Sequence, residues 1–326
     1  MSASIANNPI PFHNTCFNEA GDTFAIKSPF YGHIVLTRDA NIVKHILQKK
    51  HKIYHKSKIQ TKYLSKYVGY GLLTSSGDYW LKQRRLIQPA FHKEKINNLV
   101  SIINKTIENQ VNSIEEKNES VEVYAIMNEL AFEVVAKSLF NFSAEKHTLK
   151  RLQFIIEKLQ LFIVKELRLP YKKLWYKLNG DIRYHMKLVK ESQVIINTIL
   201  EQRRDSIETH DDLLDMLIHA EYEDGTTMTN KQLIDEILIL FVAGHETTAN
   251  ALSFTLFLLA KNPEVQQKAF ASVSKIDLTN GAYLENISAL SYIKQCVEEG
   301  MRLYPPAYYI DRMTIEEDQL SEHTIP

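Results

Sequence analysis

Cysteine is nearly missing from this sequence: of 326 residues only Cys16 and Cys296 carry a thiol. Two thiols so far apart exclude a disulfide framework and any zinc-ligand spacing, and they fit a reducing compartment. An excess of charge is missing too. Lys and Arg number 39 against 39 Asp and Glu, so no global field points to nucleic acid or to an anionic surface. The N-terminus, MSASIANNPIPFHNTC, has no basic stretch followed by an apolar one. No signal peptide or membrane anchor is read there, and a cytoplasmic location is expected. No repeat or low-complexity segment stands out.

The longest apolar stretch runs from Thr229 to Asn262 and reads as one helix that is greasy on nearly every side. At 1.5 Å per residue it spans about 45 Å. Thr229 and Gln232 fit a capping box, and Asn262-Pro263 is a stop signal. Gly244-His245-Glu246-Thr247-Thr248 breaks the apolar run short of the ~20 residues a bilayer needs, so the helix is expected to be buried in a protein core. Burying a neutral polar group without a partner costs roughly 2–7 kcal/mol, so these residues need a reason.

Before this helix the pattern is helical over 79–87, 92–116, 123–140, 145–167, 181–208 and 211–220, and after it over 263–272 and 289–303. Strand signals are confined to a hairpin-like pair around Ser28-Pro29 and to the last stretch, Ala307–Pro326. Residues 1–20 read as irregular, and Asp39 is placed to cap a helix through Leu47. The expectation is a mainly α fold with a small β part, in a single domain over 1–326. That domain has a β-rich, basic part at 21–66, a helical part at 67–305 and the start of a β segment at 306–326. Lys44–Lys66 is strongly basic; a docking face and a solvated helix face both fit, and the neutral total charge favours the second.

Three constellations could carry chemistry. His245-Glu246 begins like a zinc-protease motif, but Ala249 stands where the second His is required, so zinc is excluded. An acid beside an alcohol in an apolar wall suits proton delivery by Glu246 and Thr247. Gly244 leaves room for a flat ligand, for a kink, or for a neighbouring helix. Trp80 and Arg84 share a helix face and offer N–H donors to carboxylates, or a cation stacked on an indole. Glu299 and Arg302, three apart, are set for an ion pair ahead of Pro305-Pro306.

The order and spacing of AGHETT, EEGMRLYPP and WLKQRRLIQPAF resemble the cytochrome P-450 family of heme-thiolate monooxygenases, over nearly the whole chain. The resemblance implies that fold, heme b as cofactor, an electron-donor protein of ferredoxin or flavodoxin type, and an apolar small-molecule substrate, with no nucleic acid. It implies that Ala243 and Gly244 line the dioxygen groove and that Glu246 and Thr247 deliver protons. Trp80, Arg84 and Arg312 match heme-contacting positions, and Glu299 with Arg302 matches a buried structural pair. The family's axial Cys loop has no match before Pro326, so no metal ligand is assigned. The chain is expected to be C-terminally truncated and inactive alone; a non-catalytic helical scaffold is the alternative.

Overall fold

The computed structural model describes residues 8–115, 120–140, 146–205, 212–276, 283–320 and 323–325. Parts of the expected helices (116, 145, 206–208, 211) and of the last β segment (321–322, 326) lie outside the described residues. Elsewhere the chain is mainly helical, with three two-stranded antiparallel sheets among the described residues. It divides into two compact units.

The first unit holds residues 1–80, 155–191 and 311–326. It opens with helix α1 (Ile10–Ala20), which the sequence read as irregular. This helix buries no side chain, so no apolar stripe marks it. The expected hairpin follows as β1 (Thr23–Ser28) and β2 (Gly32–Thr37), with Gly32 at φ 77° in its turn, a region that excludes most side chains. Asp39 accepts the N–H groups of Asn41 and Ile42 and caps α2 (Ala40–Lys44).

Beyond α2 the basic run is no single helix face. It is divided among a π-helical turn (His45–Lys49), strand β3 (Tyr54–His55) and a second π turn (Ile59–Leu64) leading into α3 (Ser65–Val68). A long-range constraint causes the division: β3 pairs with β4 (Met313–Thr314). The buried Tyr54 also donates its hydroxyl to Asp318 of β5 (Asp318–Leu320), which pairs with β6 (His323–Ile325).

The second unit holds residues 81–154 and 192–310. Helix α4 (Gly77–Ile87) leads into it, followed by α5 (Lys93–Glu115) and α6 (Val123–Phe140). Helices α7 (Lys146–Arg168) and α9 (Asp181–Asp205) each contribute residues to both units, with the short α8 (Lys173–Leu178) between them in the first. Then come α10 (Leu213–His219), α11 (Asn230–Lys261), α12 (Pro263–Val273), α13 (Tyr283–Ala289) and α14 (Ser291–Leu303).

The capping box of α11 is formed as the sequence indicates, with Thr229 and Gln232 satisfying each other's backbone N–H groups. By length and hydropathy this one helix among those described could cross a membrane, yet its first half is built into the unit. Leu233, Ile237, Leu238 and Phe241 are buried with Leu130, Phe132, Val135 and Ala136 of the neighbouring α6. Burial on every side, expected from composition, does not hold: even in that half Lys231 and Ala243 are exposed. Phe254, Leu256 and Phe257 in the second half are exposed.

Candidate functional site

The packed and open sides of α11 differ sharply in chemistry. On the packed side the Phe241 ring stacks on Phe132, and the His245 ring meets Phe132 edge-on, each with centroids 5.4 Å apart. Gly244 lies on this side: a Cβ there would sit 3.0 Å from Cγ2 of Val135. Its smallness therefore serves the approach of α6, the neighbour-packing account that the sequence left open. The α-helix runs through Gly244 with no π bulge.

On the other side, Ala243, Thr247, Asn250, Phe254 and Phe257 fall at the i, i+4, i+7 spacing of one stripe. Ala243 and Thr247 are exposed there, and Glu246 is half-buried beside them. Thr247 Oγ1 donates to the Ala243 carbonyl at 2.6 Å. That bond engages the hydroxyl proton along the helix and leaves the oxygen's lone pairs for a donor arriving from outside.

An aromatic wall continues the stripe. Tyr304, which follows α14, stacks on Phe254 with centroids 4.4 Å apart and planes within 1°, and meets Phe257 edge-on at 6.3 Å. Sequence reasoning missed this wall. Its signal was present, because Phe254 and Phe257 repeat the face of Thr247 at seven and ten residues onward.

Glu299 and Arg302 form the expected pair, with two parallel hydrogen bonds of 2.7 Å. The hydrogen bond from Arg302 lowers the Glu299 carboxyl below its ordinary range, and the same bond raises the Arg302 guanidinium. The pair is not buried as the resemblance implies: the side chains of Glu299 and Arg302 are 55% and 65% exposed. Spacing on one helix turn makes the pair, but burial needs another element over it, and among the described residues none covers it.

Arg84 is exposed on α4 in the same unit as Ala243, Gly244, Glu246 and Thr247. Trp80 and Arg312 belong to the other unit. There Lys56 Nζ stands over the Trp80 ring, 5.4 Å from its centroid. Arg312 is exposed just before β4 and donates to the Asp311 carbonyl at 2.7 Å.

The open side of α11 fits a flat, largely apolar group such as heme. Ala243 raises no bulk above the helix surface, Thr247 offers a hydroxyl oxygen, and the ring of Phe254 extends the apolar stripe. Cys16 and Cys296 both lie within helices, α1 and α14.

The sequence model of the cytochrome P-450 family matches residues 3–326. The chain belongs to the cytochrome P-450 family. Its relatives include a cyclooctat-9-en-7-ol 5-monooxygenase of Streptomyces melanosporofaciens, 30% identical over 79% of this chain and 56% of that protein. They also include a cytokinin hydroxylase of Arabidopsis thaliana, 30% identical over 99% of this chain and 65% of that protein. The P-450 chain thus spans roughly three-fifths of the length of these relatives. A solved structure, retinoic acid bound cyanobacterial CYP120A1, superposes with a TM-score of 0.80 over 98% of this chain and 70% of that one, at 20% identity. The fold is therefore that of a cytochrome P-450.

Proposed function

We propose that this chain carries the proton-handling wall of a heme-dependent monooxygenase that places one atom of dioxygen into an apolar small molecule. The observation that carries the reading is the exposed Ala243–Thr247 pair on a helix whose other side is core. Heme b, when bound, supplies the iron at which dioxygen is reduced and its O–O bond cleaved.

The chain's own residues do the rest. Ala243 keeps the α11 surface low enough for a flat group to approach. Thr247 accepts a hydrogen bond from a donor on the open side while its own hydroxyl proton stays hydrogen-bonded to the Ala243 carbonyl. Glu246, half-buried at the neighbouring position, exchanges protons with water and resupplies that donor. Arg84, on α4 of the same unit, is the cation proposed for a carboxylate of the cofactor.

The apolar stripe around Phe254 favours a hydrophobic substrate, and the names of the two relatives, a monooxygenase and a hydroxylase, support oxygen insertion. Electrons come from a separate donor protein of ferredoxin or flavodoxin type, and the cytoplasm is the proposed location. Neither Cys16 nor Cys296 is the axial ligand in this reading, since each is embedded in a helix rather than in a glycine-bearing loop.

Two measurements test the proposal. In the heme-loaded monooxygenase containing these residues, Thr247→Ala should lower product formed per dioxygen consumed, by about 10-fold or more on the scale of lost proton transfer. Unchanged coupling would remove the proton-handling role. The reduced carbon-monoxide difference spectrum of these 326 residues with heme should lack the thiolate-type Soret band, and its presence would overturn the reading of the cysteines.

A further inference from the structure

Three elements of the second unit meet at one half-buried ring, that of Tyr222. The turn that carries it, between α10 and α11, closes on itself. Tyr222 N–H donates to the Thr226 carbonyl at 2.8 Å and Gly225 N–H to the Tyr222 carbonyl at 2.9 Å. Gly225 takes φ 76°, a region that suits glycine, so the corner has a fixed shape. Asp224 accepts the Thr226 N–H at 3.0 Å, and the buried Met228 anchors the return into α11.

From this turn Tyr222 reaches two helices. The Lys82 ammonium of α4 lies over its ring, 4.2 Å from the centroid, and also donates to Asp224 Oδ2 at 3.3 Å. Arg85 of the same helix faces Glu223 at 3.7 Å. The Tyr222 hydroxyl accepts from Gln232 Nε2 of α11 at 3.4 Å. The capping box sets that orientation. Gln232 Oε1 takes the Thr229 N–H at 2.8 Å and the Thr229 hydroxyl at 2.9 Å, which turns the amide nitrogen toward the ring. One side chain thus joins α4 to α11.

Those two helices carry two parts of the candidate site. Ala243 and Thr247 stand on α11, and Arg84 stands on α4, two residues from Lys82. We infer that Tyr222 is a positioning residue: through Lys82 and Gln232 it sets where Arg84 stands with respect to the Ala243–Thr247 groove. The inference rests on the proposed role of Arg84 toward a cofactor carboxylate. A cation over an exposed ring and surface ion pairs contribute little to folding. Hydrogen bonds from a guanidinium to a carboxylate weaken steeply with distance and angle, so a small displacement of α4 is felt there first.

Heme and heme dimethyl ester, whose carboxylates are esterified, separate positioning from folding. Both are titrated into the full chain and followed by Soret absorbance. Arg84→Ala should weaken heme by about 10-fold or more and the ester far less. Tyr222→Ala should weaken heme by about 3-fold or more, with the ester again spared. Tyr222→Phe keeps the ring under Lys82 and removes the tie to Gln232, so it should fall between wild type and Tyr222→Ala. With Arg84→Ala already in place, Tyr222→Ala should add nothing, because residues acting through one contact are not additive. Urea unfolding would confirm that each variant folds. Equal losses for heme and ester in Tyr222→Ala would mark a merely structural residue and overturn the inference, as would losses that add to those of Arg84→Ala. An Arg84→Ala variant that treats heme and ester alike would instead remove the proposed role of Arg84, and the inference with it.

Discussion

A methyl group added at Gly300 of α14 would lie 2.7 Å from Oγ1 of Thr255 on α11. That hydroxyl is not free to swing away, because it donates to the Ala251 carbonyl at 2.7 Å, and Thr255 Cα would stand only 3.4 Å from the new atom. The two helices cross where one of them has no side chain. Gly300→Ala should therefore destabilise the chain by about 1–3 kcal/mol through overpacking, less the ~1 kcal/mol that alanine adds to helix propensity. Thr255→Ala should recover part of the loss, and a double-mutant cycle by urea unfolding reads the coupling. Gly244→Ala should cost less, since its 3.0 Å neighbour is a Val135 methyl with no hydrogen bond to hold it. Equal effects at the two glycines would contradict this ordering.

Acid should act on Asp318. His45 Nε2 at 2.7 Å and the Tyr54 hydroxyl at 2.8 Å converge on its Oδ2. Burial by itself raises this carboxyl, but the hydrogen bonds from His45, Tyr54 and the Gln319 backbone outweigh it and hold the group below its ordinary value of 3.8. A lowered folded value means stability that is present above the ordinary range and lost as pH falls through the folded one. Asp318→Asn should cost about 1–3 kcal/mol at neutral pH. The gap from wild type should close below pH 3.8. Urea midpoints that stay parallel down to the lowest accessible pH would count against the carboxylate.

Alkali should act on the buried tyrosines. Burial first, and then the hydrogen bond and charge of Glu166, raise the Tyr67 phenol well above 10.0; burial and Asp318 do the same at Tyr54, and burial raises Tyr176. Three of the 16 tyrosines should thus resist ionisation in a 295 nm titration until the chain unfolds. Stability from Tyr67 is complete below pH 10.0 and declines above it, by at most about 1.4 kcal/mol per pH unit. Tyr67→Phe should remove that slope, and an unchanged slope would refute the assignment.

Arg203 holds Asp212 at 2.8 Å and Asp215 at 2.7 Å, and Asp212 also accepts the Asp215 N–H at 2.9 Å as the N-cap of α10. Asp212→Ala removes the cap and leaves a mostly buried guanidinium short of a partner, which should cost about 3–5 kcal/mol. Asp212→Asn keeps an acceptor for the cap and should cost clearly less. Similar denaturation midpoints for the two variants would show that the cap, not the charge, is unimportant.

Short-range chemistry was legible from residue order alone. Asp39 and Thr229–Gln232 begin their helices as read, and most helix ends fall within a few residues of the pattern, because caps and 3.6-residue periodicity act over one or two turns. Spacing was also enough to join Glu299 to Arg302 and Thr247 to its place on α11. The family itself could be read from such motifs in series.

What the tertiary structure alone decided is where those pieces face. Gly244 proved to be turned to Val135, the Glu299–Arg302 pair stands exposed, and the basic run broke into turns around a strand that pairs with residues more than 250 positions away. Helix α8, too short for any periodic signal, came to hold three large apolar side chains, Leu174, Trp175 and Leu178, outward among lysines. Each of these depends on which distant element arrives at a given face. Contacts of that kind are set by packing and burial across the chain, and no local rule of spacing, propensity or charge contains them.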